Sequence, residues 1–275
     1  MSILIADSGS SKTDWCYISE KKERLYFQTE GLNPYFVNSQ KISEVASAKF
    51  SGFSKEITKV FFYGSGCANA EKNLIVENGL KIVFPKAEIF VFSDILGAAK
   101  ALFGNEEGIA VILGTGQATC FYSDNKIVNS LPSGGFLLGD EGSGAYLGLQ
   151  FLKKYLHKEI PEDIFIEFER RYNTDIQQIK NSLYSAQHSG KYLASFAPFI
   201  HEYKNRDVIN EIISEAFGLL IEKYILRYHD AQKLKLGFCG SIAYFFKDNL
   251  ETACSKYNLK PFKIIEKPIE ELVGI

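Results

Sequence analysis

The 275-residue sequence lacks an excess of charge of either sign, with 31 Lys and Arg against 33 Asp and Glu and a formal net charge of −2. This balance provides no basic field for nucleic acid or for an anionic membrane surface, and no acidic tail. The sequence also has no stretch approaching the roughly 20 apolar residues that a transmembrane helix needs. A charge, Asp7, follows only six residues after the start. We therefore expect neither a nucleic-acid nor a membrane partner.

Cysteine and histidine are sparse and do not form the patterns of disulfide frames or metal sites. The odd number of cysteines, their wide spacing and the lack of a Cys-x-x-Cys pair predict reduced thiols in a cytoplasmic protein. No His-x-x-x-His spacing occurs, so the histidines are predicted to be surface or packing residues. The residues concerned are Cys16, Cys67, Cys120, Cys239 and Cys254, and His157, His188, His201 and His229.

Short apolar runs alternate with turn residues and helical segments in the first part of the chain. This alternation predicts an α/β fold with a mixed sheet. Strands are predicted at Ile3–Ala6, Asp14–Ile18, Leu25–Thr29, Val60–Tyr63 and Ile89–Phe92, and helices at Ile42–Phe50, Glu71–Val83 and Ile95–Phe103.

The opening strand-turn-strand pattern recurs at Gly108, which predicts two related lobes, residues 1–105 and 106–275. Helical periodicity dominates after Asp140 and includes a long amphipathic helix over Asp207–Tyr228. Leu234–Cys239 is then predicted to be a strand and Ile242–Cys254 a helix.

Four glycine-containing turns follow predicted strands. Such turns expose consecutive backbone N–H groups, and neighbouring hydroxyls make them suited to phosphate oxygens. None completes a Walker or dinucleotide motif, so each turn alone is equally compatible with an ordinary hairpin. The occurrence of related turns at the start of two related halves favours phosphate binding. The turns are Asp7–Thr13, Tyr63–Gly66, Leu113–Gln117 and Phe238–Ser241.

Two carboxylates stand directly after predicted strands. Asp7 is placed either to hold Mg²⁺ through water beside a phosphate or to form an Asx-turn. Asp94 is placed either to cap the following helix or to act as a general base in the crevice of the sheet, and both roles are compatible.

The glycine-rich segment Pro132–Gly144 contains five glycines and the adjacent carboxylates Asp140 and Glu141. The helix dipole favours carboxylates at a helix start, but it does not account for the glycines. Glycines so dense predict a backbone that closely approaches another group. Asn33, which precedes Pro34, is either part of a plain turn or a polar group presented to a ligand.

In their order, these motifs resemble the superfamily of acetate kinase, sugar kinases, Hsp70 and actin. Within it, the chain is similar to N-acetylglucosamine kinases and to ATPases of the BadF/BadG/BcrA/BcrD type. The resemblance extends from Ile3 to about Phe246, and Gly135–Ser143 is its most specific element. It implies two ribonuclease H-like α/β lobes around a central cleft, the actin-like ATPase fold.

The resemblance implies ATP-dependent phosphorylation of a hydroxyl of an N-acetylated amino sugar, N-acetylglucosamine or N-acetylmuramic acid. It assigns Mg²⁺ to Asp7 and the base to Asp94. The implied ATP-binding residues are Gly9, Ser10, Ser11, Lys12, Thr13, Gly114, Thr115, Gly116, Gly240 and Ser241, and the implied sugar-binding residues are Asn33, Gln117, Gly135 and Asp140. Gly134 replaces a Trp often found in these kinases, and Gln117 replaces a small polar residue.

Two other functions are alternatives, the first from the same resemblance and the second from a different class of protein. One is an ATPase that activates a radical reductase or dehydratase through an iron-sulfur cluster held between subunits by paired cysteines. Cys120, Cys239 and Cys254 offer no obvious pair for such a cluster. The other is a sugar sensor that acts on a promoter, which requires an added DNA-binding segment and a phosphate-binding face. We expect a kinase, and such kinases are commonly homodimers.

Overall fold

A computed structural model describes residues 2–184 and 189–274. The prediction for His188 lies outside these residues. The strands are β1 (Ser2–Ser8), β2 (Lys12–Ile18), β3 (Arg24–Glu30), β4 (Ile57–Gly64), β5 (Glu88–Ser93), β6 (Gly108–Leu113), β7 (Gln117–Ser123), β8 (Lys126–Leu131), β9 (Lys235–Cys239) and β10 (Pro261–Ile265). The helices are α1 (Ser39–Phe50), α2 (Ala70–Val83), α3 (Asp94–Phe103), α4 (Gly144–Leu156), α5 (Glu162–Arg171), α6 (Ile176–Tyr184), α7 (Ser189–Ala194), α8 (Ala197–Glu202), α9 (Asp207–Lys223), α10 (Ser241–Phe245), α11 (Lys247–Lys256) and α12 (Ile269–Leu272).

The chain divides into two compact units. Unit 1 contains the described residues up to Glu106, together with Asp124–Lys126 and the chain from Lys267 onward. Its sheet has the order β3-β2-β1-β4-β5. β1 and β2 pair antiparallel, as do β2 and β3, whereas β1, β4 and β5 run parallel. The mixed sheet and every strand and helix predicted for the first 105 residues are confirmed.

Aromatic side chains build the core of unit 1. Trp15 on β2 is fully buried, and its ring lies 5.0 Å from that of Phe50 on α1 and 6.0 Å from that of Phe62 on β4. Val76 and Leu80 on α2 belong to the same cluster. Buried aromatic pairs contribute about 0.5–1.5 kcal/mol beyond their buried area. The core therefore fixes β1 and β4, whose ends carry the candidate site.

Unit 2 comprises Glu107–Ser123 and Ile127–Glu266. Its sheet has the order β10-β9-β6-β7-β8. β6 pairs antiparallel with β7 and parallel with β9, which in turn is parallel to β10. Starting from β8, the order is β8-β7-β6-β9-β10, which corresponds strand by strand to β3-β2-β1-β4-β5 in unit 1. A recurring strand-turn-strand pattern predicts this correspondence.

Three parts of the second half differ from the sequence-based expectations. The helix predicted over Asp207–Tyr228 ends at Lys223, because Tyr224 leaves helical geometry at φ −123° and ψ −58°. The helix predicted over Ile242–Cys254 is split at Phe246, a buried residue whose ring packs against Phe217. At both positions, the helix is interrupted by an aromatic residue whose side chain is buried in the core. The apolar periodicity of the sequence does not distinguish such an interruption from a continuous helix.

The C-terminal segment returns to unit 1, although the predicted second lobe ran from 106 to 275. α12 buries Ile269 and Leu272, and the Arg24 guanidinium donates a hydrogen bond to the Val273 carbonyl at 3.1 Å. A four-residue helix gives too little periodicity to be found in the sequence. No helix within 2–184 or 189–274 has the length and apolar character needed to cross a membrane.

Candidate active site

Two carboxylates of unit 1 lie at the carboxyl ends of parallel strands. Asp7 is opposite Tyr63 in the β1–β4 register, and Asp94 directly follows Ser93, the residue opposite Gly64 in the β4–β5 register. The carboxyl ends of parallel strands form the crevice where α/β sheets bind ligands. The fold therefore brings both predicted carboxylates to one edge of the sheet.

The two carboxylates have pKa values near neutrality. Burial raises the pKa of Asp7 to about 7, and the charges of Asp94 and Asp14 add to this effect while Lys12 opposes it. Burial also raises the pKa of Asp94 to about 6, although its carboxylate accepts the Ile95 N–H at 2.8 Å. Asp94 is the first residue of α3 and follows the cap residue Ser93. A carboxylate with such a pKa exchanges protons in the physiological range.

The predicted phosphate turn of unit 1 joins β1 to β2. Lys12 forms an ion pair with Asp14 at 3.2 Å, and about half of the Lys12 side chain is exposed. Thr13 is fully buried, and its hydroxyl lies 2.8 Å from the Ser8 hydroxyl and 3.0 Å from the Glu30 carbonyl. The Thr13 hydroxyl is thus hydrogen-bonded within the hairpin. It is not directed toward the predicted contact between Thr13 and phosphate.

Asn33 is linked to the same turn. Its amide nitrogen donates to the Ser10 hydroxyl at 2.9 Å, while its amide oxygen accepts the Tyr35 N–H at 3.0 Å. The Ser65 hydroxyl lies 3.5 Å from the Asn33 amide nitrogen, and the Ser65 side chain also favours the ionised form of Asp94. A Cβ at Gly66 would lie 2.4 Å from the Asn33 amide oxygen. Three predicted elements of unit 1, carried by Ser10, Asn33 and Asp94, are therefore connected.

In unit 2, two predicted glycine turns meet at the ends of β6 and β9. Gly240 has φ +111°, and a Cβ there would lie 2.4 Å from the Leu113 carbonyl oxygen, so glycine is required. The other turn, Gly114–Gly116, accepts hydrogen bonds from the first N–H groups of α4. Gly144 donates to the Gly114 carbonyl at 2.8 Å, and Ala145 donates to the Thr115 carbonyl at 3.0 Å.

A pocket of about 390 Å³ opens beside these turns within unit 2. Apolar groups form most of its wall, as in typical sites for planar organic ligands. Its lining residues are Gly114, Thr115, Ala194, Ala197, Pro198, His201, Ser241, Ile242, Phe245 and Phe246.

Sequence reasoning missed the pocket wall that α7 and α8 provide. Ala194, Ala197 and Pro198 carry no chemical signal, and the helices are only six residues long. His201, predicted to be a surface or packing residue, packs its ring 5.1 Å from Phe246 and also lines the pocket. The contribution of α7 and α8 to the pocket becomes apparent only in the tertiary structure.

Asp140 lies beside the Gly114–Gly116 turn. It is 6% exposed. Burial raises the pKa of its carboxyl, whereas the Ser133 side chain and the Gln117 backbone favour the ionised form and oppose the rise. A Cβ at Gly116 would lie 3.0 Å from the Asp140 carboxylate. The predicted sugar-binding residues Gln117 and Asp140 are thus neighbours.

The remaining polar groups of this region differ in their partners. Within the described residues, the Gln117 amide nitrogen and oxygen are buried and have no hydrogen-bond partner. Leaving a buried polar group unpaired costs about 1–3 kcal/mol. Gly135, also predicted to contact the sugar, lies exposed at φ +73°, and its carbonyl accepts the Gly139 N–H at 2.8 Å.

All five cysteines are described, buried and free of disulfide bonds. Across residues 2–184 and 189–274, no group of three or more His, Cys, Asp or Glu side chains is placed to hold a metal ion. Within the described residues, the cysteines are therefore neither disulfide-bonded nor part of such a group of three.

Comparison with known proteins identifies kinases of amino sugars as relatives. A solved structure of a proposed N-acetylglucosamine kinase from Porphyromonas gingivalis is 34% identical, with a TM-score of 0.93 and coverage of 99% of this chain and 97% of that one. The glucosamine kinase of Vibrio cholerae is 23% identical over 227 residues, which are 78% of this chain and 74% of that protein. No family model matches the sequence.

A second curated relative is the N-acetylmuramic acid/N-acetylglucosamine kinase of Clostridium acetobutylicum. It is 28% identical over 173 residues, or 59% of this chain and 55% of that protein. Together with the matching architecture and 34% identity over nearly the full length of a solved relative, these similarities show that the chain belongs to the N-acetylglucosamine kinase family, amino sugar kinases with the actin-like ATPase fold.

Proposed function

We propose that this chain transfers the terminal phosphate of ATP to a hydroxyl of an N-acetylated amino sugar. The observation that carries the proposal is the placement of Asp7 and Asp94, with pKa values near neutrality, at the carboxyl ends of parallel strands. Phosphoryl transfer needs positioning, charge neutralisation and a carboxylate beside the nucleophile. A member of the N-acetylglucosamine kinase family with this arrangement has the groups that the reaction requires.

Asp94 acts as the general base. With a pKa of about 6 it is mostly ionised at pH 7 and above, yet it remains basic enough to accept a proton. The sugar oxygen forms a bond to the γ-phosphorus while the bond from that phosphorus to the ADP oxygen breaks. The hydroxyl proton passes to the Asp94 carboxylate, so that the products are the sugar phosphate and ADP.

The nucleotide base occupies the apolar pocket of unit 2. Phe245 is half exposed and lines this pocket, which makes its ring available to stack on a planar base. In unit 1, the turn Gly9–Thr13 is proposed to bind phosphate oxygens. In unit 2, the turn Gly114–Gly116 is proposed to do so. Backbone N–H groups and Lys12 supply these contacts, since the chain has no excess of basic residues.

Asp7 is the residue fitted to hold Mg²⁺ through water. Burial and the nearby charges of Asp94 and Asp14 disfavour the ionised form of its carboxyl, and a divalent cation would stabilise that form. A single carboxylate is sufficient, because Mg²⁺ retains several waters and takes other ligands from phosphates. When bound, the ion neutralises charge on the transferring phosphate.

In unit 2, Gln117, Gly135 and Asp140 are the proposed sugar ligands. In unit 1, Asn33 is a proposed sugar ligand. Asp140 offers a buried carboxylate as an acceptor for sugar hydroxyls, and the Gln117 amide has unused donor and acceptor capacity. An N-acetyl group presents both an N–H donor and a carbonyl acceptor. This complementarity favours an N-acetylated sugar over glucosamine, the substrate named for the Vibrio relative.

The decisive experiment is a panel of sugars with coupled detection of ADP. N-acetylglucosamine, N-acetylmuramic acid, glucosamine and glucose are each tested with ATP, with and without Mg²⁺. We expect Mg²⁺-dependent ADP release with an N-acetylated sugar and none with Asp94→Asn. ADP at background level with every sugar would refute the proposal. A homodimer and a cytoplasmic location stay predictions.

A further inference from the structure

Both ends of the glycine-rich loop 133–142 meet the end of helix α9. The Tyr224 hydroxyl donates to Glu141 at 2.8 Å and lies 3.4 Å from the Ser133 carbonyl oxygen. Lys223 donates from its ammonium to the other carboxylate oxygen of Glu141 at 2.5 Å. Two consecutive residues of the chain therefore engage both oxygens of one carboxylate, which is only 4% exposed.

The loop has little freedom to shift away from this contact. A Cβ at Gly139 would lie 1.8 Å from the Ser133 carbonyl oxygen and 2.7 Å from the Tyr224 hydroxyl. Asp140 itself has φ +59°, a left-handed conformation that most non-glycine residues avoid. Residues in such conformations persist where the surrounding structure fixes them.

The contacts among Lys223, Tyr224 and Glu141 also affect the pKa values of Glu141 and Asp140. The negative charge of Glu141 raises the pKa of the adjacent Asp140. Although burial raises the pKa of Glu141, hydrogen bonds from Lys223 and Tyr224 outweigh burial and lower it. Lys223 thus helps to keep Glu141 ionised, and the charge of Glu141 adds to burial in raising the pKa of Asp140.

We propose that Tyr224 and Lys223 are positioning residues for the sugar, acting through Glu141 and Ser133 on the carboxylate of Asp140. Ser133 is the link at one end of the loop, because its carbonyl oxygen lies 3.4 Å from the Tyr224 hydroxyl and its side chain favours the ionised form of Asp140. Glu141 is the link at the other end, because it directly follows Asp140. The inference rests on the proposed function, since it assumes that Asp140 binds the sugar.

The variant Tyr224→Phe tests this role by removing one hydroxyl. Because this hydroxyl donates to a charged carboxylate at 2.8 Å, we expect its loss to raise the KM for the sugar about tenfold. The KM for ATP stays within about twofold, since its pocket does not contain the network.

Tyr155→Phe is the matched control. Tyr155 is also almost fully buried, and its hydroxyl donates to the Glu169 carboxylate at 3.1 Å, away from the loop. We expect a comparable loss of thermal stability with an unchanged KM for the sugar. Lys223→Met should raise this KM, whereas Lys223→Arg, which keeps the charge, should restore it.

Hydrogen–deuterium exchange of the sugar-free protein provides a readout that does not depend on activity. We expect faster exchange at the amides of residues 133–142 in Tyr224→Phe but not in Tyr155→Phe. Unchanged loop exchange overturns the inference whether or not any sugar is phosphorylated. Faster exchange with an unchanged KM for the sugar also overturns it. If exchange is faster but the protein phosphorylates no sugar, the proposed function is refuted. Tyr224 and Lys223 then stabilise the loop without positioning a sugar ligand.

Discussion

Units 1 and 2 share one strand order, but Asp7 and Asp94 of unit 1 differ from Glu141 of unit 2 in the direction of their pKa shifts. Burial raises the pKa of both Asp7 and Asp94, and the charge of Asp94 adds to the rise at Asp7. Although burial also raises the pKa of Glu141, hydrogen bonds from Lys223 and Tyr224 outweigh it and lower this pKa. The same strand order therefore accommodates two kinds of carboxylate. Asp7 and Asp94, proposed to receive a cation and a proton, have raised pKa values, whereas Glu141, which contacts the end of α9, is paired with a cation.

Asp94→Asn should give the largest effect, because it removes the uncompensated base and keeps the shape of the side chain. We expect kcat to fall about 10²–10⁴-fold, the usual contribution of a general base, while ATP still binds. Steady-state kinetics and titration with ATP measure the two effects. Glu141→Gln is the comparison from unit 2, and it should act mainly on the KM for the sugar. Equal losses of kcat in both variants would contradict the contrast between the units.

The pH profile of kcat/KM sharpens the same contrast. Asp94 must be deprotonated to act, so activity should be present above its pKa of about 6 and fall about tenfold per pH unit below it. Because kcat/KM reports the free enzyme, it is measured from pH 5 to 8.5 at limiting sugar. Asp94→Asn should abolish this limb. A profile that is flat from pH 5 to 8.5 in the unmodified protein would exclude Asp94 as the base.

Phe245→Ala probes the nucleotide pocket of unit 2. Stacking of an aromatic ring on a base contributes about 1–3 kcal/mol, so the KM for ATP should rise about tenfold. Tyr244→Ala is the matched control, since this neighbouring side chain is similarly exposed, at 47% against 50%, and does not line the pocket. Its KM for ATP should be unchanged. Equal changes in the two variants would indicate a general effect on α10.

Asp7→Asn should stabilise the sugar-free protein. The folded-state pKa of about 7 lies above the ordinary value of 3.8, so the folded protein binds the proton more tightly than the unfolded chain. Asp7 therefore favours folding least above pH 7 and most below about pH 4. Each unit of pKa shift corresponds to about 1.4 kcal/mol, and we expect a gain on the order of 1–2 kcal/mol at pH 8 that disappears toward pH 4. Urea unfolding at several pH values measures this gain, and a constant difference would exclude titration as the cause.

The sequence predicted local features well where a chemical pattern was dense. Asp7 and Asp94 stand beside recognisable strands, so their placement at strand ends followed from the apolar runs before them. Tyr224 could not be connected with Glu141, because 83 residues separate them and nothing in an amphipathic helix indicates which loop its end will touch. Likewise, Pro198 and Ala197 became pocket walls only through the tertiary fold.

The return of α12 to unit 1 bears on how the protein could be divided. A fragment that ends near residue 106 would carry all five strands of the first sheet, yet it would lack the segment that covers the Arg24 guanidinium and contributes buried Ile269 and Leu272. Independent production of this half would then require the segment from Lys267 as a separate peptide or through a circularly permuted chain. Such a peptide would serve as a folding cofactor for a half that is discontinuous in sequence.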